Sequence, residues 1–219
     1  MIIGNCVFAD DALYDLESNT WVRFQEPGVA TVGITSIFAW LAGSVASVSF
    51  KAPGAVVERG NGLGSVEGPR HFDIVRSPIT CKILSVNESL SANPGPLNRD
   101  PYDSGWFARV EPHKREEASM LEPPERAKDS LQRRVTELRV RCFVEFPDHE
   151  MFEIGTECSA VLVRLDEFLS SSPKGSVVHL VSDDLSSQLE MSVWSERTGN
   201  QILETRREGN LLHYIVKKA

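Results

Sequence analysis

Gly62-Leu-Gly-Ser-Val-Glu-Gly-Pro-Arg-His-Phe-Asp-Ile-Val-Arg-Ser-Pro78 sets two short apolar runs either side of Gly68, Pro69, Arg70 and His71. That pattern predicts a β-hairpin with a polar tip. Upstream, Trp21-Val-Arg-Phe24, Val29-Ala-Thr-Val-Gly-Ile34 and Ser44-Val-Ala-Ser-Val-Ser-Phe50 alternate apolar and small polar residues, as half-buried strands do. Between the last two, Thr35 is placed to cap a short helix, Ser36-Ile-Phe-Ala-Trp-Leu41, with Gly43 as its stop. The turn signals Pro53-Gly54, Asn61-Gly62, Gly64 and Gly68-Pro69 follow so closely that the region must be built from short strands. Downstream, Ile79-Thr-Cys-Lys-Ile-Leu-Ser-Val86 predicts another strand. Residues 87–99, with Asn93-Pro94 and Gly95-Pro96, predict a surface loop, and Trp106-Phe-Ala-Arg-Val110 closes a compact, mainly β unit.

Within that unit Thr20-Trp21-Val22, Ala30-Thr-Val-Gly-Ile-Thr35, Leu41-Ala-Gly43, Ser77-Pro78, Val86-Asn-Glu88, Asn98-Arg-Asp-Pro-Tyr102 and Gly105-Trp106 occur in the order and nearly the spacing of the glycine cleavage system H protein. The chain up to Pro112 resembles that family. The resemblance implies a barrel-sandwich hybrid of the lipoyl-domain type. It also implies a hairpin whose lysine receives a lipoyl arm. Counting back from Ser77-Pro78, Arg70 holds that lysine's place, and Asn19-Thr20 replace the family's usual histidine-glutamate pair. A guanidinium stays protonated and delocalised, so it cannot form the amide that a primary amine forms with an activated acyl group. Covalent lipoyl is therefore not expected, and Gly68, Pro69, Arg70 and His71 become candidates for a basic, partner-binding tip.

Beyond the barrel, Pro124-Glu-Arg-Ala-Lys-Asp-Ser-Leu-Gln-Arg-Arg-Val135 suits a helix with proline in its first turn. Val140-Arg-Cys-Phe-Val-Glu-Phe146 reads as a strand or an extended connection. The remainder changes character. Met151-Phe-Glu-Ile154 predicts a strand, and residues 159–169 place Val161, Leu162, Leu165, Phe168 and Leu169 on one helical face. Ser176-Val-Val-His-Leu-Val181 is a strand, and a second amphipathic helix through Leu185, Leu189 and Val193 is expected to end at Gly199. Asp183-Asp184 are expected to cap that helix. Two last strands, over 202–206 and 211–216, give the order β-α-β-α-β-β of a two-layer α/β sandwich.

That order, with Gly155-Thr-Glu-Cys-Ser-Ala-Val-Leu-Val-Arg164 and Tyr214-Ile-Val-Lys-Lys218, resembles the TusA-like sulfur-carrier family, in which a cysteine followed by proline, any residue and proline carries a persulfide. Here Cys158 keeps the cysteine, while Ser159 and Val161 stand where the prolines would. At a strand-to-helix junction the helix N-terminus stabilises a thiolate, so Cys158 is the candidate persulfide carrier.

The expected architecture is thus α+β with two domains: residues 1–135 an H-protein-like barrel-sandwich hybrid with a C-terminal helix, 136–148 a linker, and 149–219 a TusA-like domain. The 219 residues carry a formal net charge of −8, which argues against a nucleic-acid partner. The cysteines Cys6, Cys81, Cys142 and Cys158 form no CxxC pair and no zinc-like spacing, so free thiols in a reducing cytoplasm and no metal site are expected. No stretch reaches the roughly 18 apolar residues of a membrane span. No acid, base and nucleophile converge as an independent enzyme needs, which leaves a carrier or docking protein with partners in sulfur-transfer or lipoyl-dependent systems. A structural or regulatory protein with both carrier sites degenerate, and a working glycine cleavage H protein, are the alternatives.

Overall fold

The computed structural model describes residues 1–68 and 71–219, which form two compact units, Met1–Cys142 and Phe143–Ala219. The division falls inside the 136–148 stretch expected as a linker.

In the first unit the chain opens with a small antiparallel pair, β1 (Ile2–Ile3) and β2 (Cys6–Val7). Next come β3 (Leu13–Asp15), β4 (Thr20–Glu26) and β5 (Val29–Ile34). Helix α1 (Ser36–Ala42) begins as its sequence dictates: Thr35 Oγ1 accepts the Phe38 N–H at 3.3 Å, and Gly43 ends it at a φ of 70°. After β6 (Ser47–Phe50) and β7 (Val56–Val57), β8 (Gly62–Glu67) and β9 (Phe72–Arg76) form the expected hairpin. β10 (Cys81–Val86) follows. The segment expected as plain loop instead folds into two short helical turns, α2 (Ser89–Ala92) and α3 (Pro96–Arg99). They form because Leu90 and Leu97 are drawn into the core, and Asn98 amide donors satisfy the carbonyls of Ala39 and Gly43. β11 (Ala108–Pro112), a 3-10 turn (Arg115–Met120) and α4 (Pro124–Glu137) complete the unit.

Two sheets face each other, one in the order β3-β4-β5-β11-β10-β7 and one in the order β6-β8-β9. Val22, Val32, Ile34, Ile83 and Val110 from the first meet Leu63, Val66 and Val75 from the second in one core, the barrel-sandwich arrangement expected. A second cluster joins Ile3, Cys6 and Phe8 to Tyr14, Trp21 and the α4 residues Ala127, Leu131 and Val135. The expectation of four free thiols is corrected there: Cys6 and Cys142 form a disulfide, leaving Cys81 and Cys158 free and buried. The pairing has no local signature, because packing of the β1–β2 pair against α4 brings together residues 136 apart.

The second unit runs β12 (His149–Glu153), α5 (Cys158–Ser171), β13 (Val177–Ser182), α6 (Ser187–Thr198), β14 (Gln201–Glu208) and β15 (Leu211–Lys217). Its sheet order is β12-β13-β15-β14, with β12 and β13 parallel and the remaining pairs antiparallel. The stretch 140–146 forms no strand; Val144 N–H instead reaches Glu204 Oε2 at 2.8 Å, and the Phe143 ring packs at a tilt against His179 with centroids 4.6 Å apart. Val161, Leu165 and Leu169 of α5 pack on Val178, Leu180 and Tyr214, as their spacing predicts. Helix α6 is rotated from the expectation. It buries Ser187, Met191 and Trp194, while Leu185, Leu189 and Val193 are 62%, 73% and 57% exposed. Trp194 decides the face: it fills the sheet side with the larger ring and directs its Nε1 to Asp166 Oδ1 at 2.7 Å. Gly199 ends the helix in the left-handed region, as predicted.

No helix among the described residues is long and apolar enough to cross a membrane.

Candidate functional site

The β8–β9 hairpin is a close-fitting one. Glu67 opposes Phe72, and across the turn Gly68 N–H donates to His71 O at 2.8 Å. Gly68 is glycine for a steric reason, since a Cβ there would lie 2.7 Å from Ser44 O. His71 is exposed. Of the four expected tip residues, Pro69 and Arg70 lie outside the described residues, so the structure positions only the two flanks.

Beside β9 lies a cleft of about 610 Å³. Its apolar wall is Phe38 and Leu41 of α1 with Ile74 of β9. Its polar lining holds Asp15, Glu17 and Asp73 together with Arg59 and Arg76. The β3–β4 turn is built around Asp15, whose Oδ1 accepts Glu17 N–H at 3.3 Å and whose Oδ2 accepts Ser18 Oγ–H at 2.9 Å. Asn19 takes a positive φ of 52° there, a conformation asparagine tolerates. Arg59 reaches Asp15 at 3.8 Å, and Arg76 donates to Gly60 O at 3.0 Å. Of the lining residues, Asn19 was singled out from the sequence, as part of the Asn19-Thr20 replacement, and the charged ones were not. The available signal was an acidic turn, Asp15 to Asn19, and arginines bracketing the hairpin.

Residues 13–134, more than half of the chain, match the family described as glycine cleavage H-protein. The chain belongs to the H-protein family. Glycine cleavage system H protein 5 of Aquifex aeolicus is 35% identical over 145 residues, covering 64% of this chain and 97% of that protein. The mitochondrial glycine cleavage system H protein of Pisum sativum is 36% identical over 111 residues, covering 51% of this chain and 67% of that protein. A crystal structure of an H protein from Mycobacterium marinum aligns at 24% identity with a TM-score of 0.49, over 56% of this chain and 98% of its own. The family match ends within α4, so it speaks for the first unit.

In the second unit Cys158 is the first residue of α5, as expected. Its chemistry differs from the expectation. The residue is only 2% exposed, and its thiol pKa is pushed up to about 12, first by burial and then by the hydrogen bond and charge of Glu190 and the charge of Asp184. The amide that was to stabilise a thiolate is already used: Cys158 N–H donates to Asp184 Oδ2 at 2.9 Å. The expected cap of α6 is corrected: its N-cap is Ser186, with no side-chain capping bond, and Asp183 and Asp184 serve the start of α5 and the turn before α6 instead. Asp183 Oδ1 accepts Gly155 N–H at 2.8 Å and Asp184 Oδ1 accepts Ser186 N–H at 2.9 Å. Those amides hold the Asp184 carboxyl below the usual carboxylate range, that of Ser186 first and that of Cys158 next. Glu190 was not foreseen, because its partner lies on another helix.

Proposed function

We propose that this chain is a non-lipoylated H-protein-family module that docks with proteins of lipoyl-dependent systems and carries no lipoyl arm itself. The observation that carries the reading is Arg70, standing eight residues before Pro78 where the family resemblance places the acceptor lysine. A guanidinium does not meet the requirement of the lipoyl group, so no step runs through one. Lys82 is no substitute, since it sits in β10 paired with Glu111 and Val56. The cleft beside β9 supplies a recognition surface that does not depend on attachment. Co-expression with a lipoate ligase, followed by intact mass, tests the reading. The wild-type chain stays unmodified and Arg70→Lys gains one lipoyl group; an adduct on the wild-type chain makes it a working glycine cleavage carrier instead.

Residues 149–219 add a second reading, that of a sulfur-carrier-like domain joined to the module at 1–135 through 136–148. The placement of Cys158 at the start of α5 in a β-α-β-α-β-β unit favours it. The step would be attack of the Cys158 thiolate on the outer sulfur of a donor persulfide. A new S–S bond forms at Cys158, the donor's S–S bond breaks, and the persulfide proton passes to the departing thiolate. The depth of Cys158 supports the competing view, a structural or regulatory domain with a silent cysteine. Persulfide loading read by mass spectrometry separates them: a Cys158-dependent gain of about one sulfur atom supports the carrier, and none supports the silent domain. Action in the cytoplasm is part of the proposal, and it requires the Cys6–Cys142 disulfide, buried at both ends, to resist the thiol pool.

A further inference from the structure

Strand residues alternate between the two faces of a sheet. In the second unit Val178 and Leu180 of β13 and Leu212 and Tyr214 of β15 pack with the helices, so His179 and His213 lie on the opposite face. The register sets His179 beside Ile215, two residues from His213 on the neighbouring strand. The two rings are nearly parallel, 17° apart, with His179 Nε2 2.9 Å from His213 Nδ1, and the residues are 5% and 2% exposed. Each outer nitrogen faces a carboxylate from an edge strand of the sheet. His179 Nδ1 lies 3.7 Å from Glu150 Oε1 of β12, and His213 Nε2 lies 3.8 Å from Glu208 Oε2 of β14. Phe143 packs against both rings, with centroid distances of 4.6 and 6.0 Å. The other charges around the pair engage one another: Arg206, above the Phe143 ring, binds Glu204 at 2.6 Å, and Lys217 binds Glu145 at 2.8 Å. Asp148 accepts the Val177 N–H at 2.9 Å.

Counting protons decides the state of this arrangement. Two imidazoles offer four ring nitrogens, and the bond between them needs one N–H and one bare nitrogen. In the neutral pair, whichever ring donates the central bond leaves its own outer nitrogen bare, with a lone pair turned toward a carboxylate. With one extra proton both outer nitrogens become N–H groups facing carboxylates, and the central bond is kept. With two, the central bond has no acceptor and two cations meet at 2.9 Å. We infer that His179 and His213 hold a single extra proton between them, forming a clasp from Glu150 to Glu208 across all four strands that weakens both when that proton leaves and when a second arrives. The pair then titrates in two separated steps that belong to both rings. The first is raised above the ordinary imidazole value of about 6.5, so its stabilisation is complete below that value and lost as pH rises through the folded-state step. The second is depressed, so stability is also lost as pH falls below about 6.5, where the unfolded chain takes up a proton that the folded pair refuses. The second unit thereby becomes a pH-sensitive element, most stable near about pH 6.5.

The test uses the full chain, labelled with nitrogen-15 at histidine and with its disulfide intact. Imidazole nitrogen shifts separate N–H from bare nitrogen, so they count the protons on the two rings with no substitution that could unfold the chain. The expected count is about three, to within about 0.3, at both about pH 5.5 and about pH 7.5. Two independent rings of ordinary pKa would instead run from about 3.8 down to about 2.2. A count outside the expected band at either pH overturns the clasp. Glu150→Gln and Glu208→Gln are each expected to weaken the hold on the extra proton about three- to tenfold, so that it leaves about 0.5–1 pH unit lower. Glu145→Gln, whose carboxylate engages Lys217 rather than either ring, is expected to leave that step in place. No shift in either ring-facing variant, or an equal shift in all three, overturns the inference. Urea titration with hydrogen exchange read on β13 and β15 peptides should place the greatest stability between about pH 6 and 7. A stability that rises or falls steadily from about pH 5.5 to 7.5 contradicts it.

Discussion

Reducing the Cys6–Cys142 bond is expected to weaken the first unit severely while leaving the second unchanged. The bond joins residues 136 apart, so it closes nearly the whole of that unit into one loop. Chain entropy for such a loop amounts to about 5 kcal/mol at 25 °C, with native disulfides in practice contributing about 2–5 kcal/mol. Both sulfurs lie in the apolar cluster with Ile3, Phe8, Leu131 and Val135, so reduction leaves two small thiols in place and opens no cavity. The change therefore falls mainly on the unfolded chain, and a loss of about 3–5 kcal/mol follows. At a slope of about 2 kcal/mol per molar urea, the unfolding midpoint drops by about 1.5–2.5 M. Urea titration with hydrogen exchange read separately on α4 and α5 peptides, with and without reductant, measures it. A first-unit midpoint that moves by less than about 0.3 M would refute the reasoning. So would four reactive thiols in the denatured, unreduced protein.

Gly33→Ala should cost about 3 kcal/mol in thermal unfolding, because the added Cβ would sit 2.5 Å from the fully buried Trp21 ring, held by its Nε1 to Ile34 O at 2.9 Å; an unchanged melting temperature would show that the ring can give way. Trp194→Ala should cost the second unit about 3–5 kcal/mol, and Leu189→Ala less than about 0.5 kcal/mol. The reverse order in denaturant unfolding would restore the helix face expected from the sequence. Asp184, with its carboxyl held low by the Ser186 and Cys158 amides, contributes stability that is present above its unfolded-state pKa and lost as pH falls through the lower folded one. Asp184→Asn should accordingly flatten the acid side of the stability profile, and a profile unchanged below about pH 4 would contradict that assignment.

Local signals were readable wherever the determinant lay within a few residues. Thr35 and Gly43 bracket α1, Pro124 opens α4, and the strand and helix order of the second unit follows from its periodicities. What escaped the sequence was decided across the fold. Leu185, Leu189 and Val193 repeat every four residues, but so nearly do Ser187, Met191 and Trp194, and the sheet surface chose the stripe with the indole. Cys6 and Cys142 meet because α4 packs with the first β-pair in one cluster. The cleft draws Asp15 from β3, Arg59 from the β7–β8 connection and Asp73 from β9, a convergence that no spacing rule contains. At Cys158 the helix start was legible, whereas the carboxylates that oppose a thiolate come from a turn and a helix 26 to 32 residues further on.

The central claim, recognition without attachment, is tested most directly in one reaction containing a lipoate ligase, an authentic glycine cleavage H protein and increasing amounts of this chain. Mass spectra followed over time should show the H protein gaining lipoate more slowly as the chain is added, while the chain itself gains none. Lipoate on the chain, or no slowing of H-protein modification at any ratio, would contradict the account.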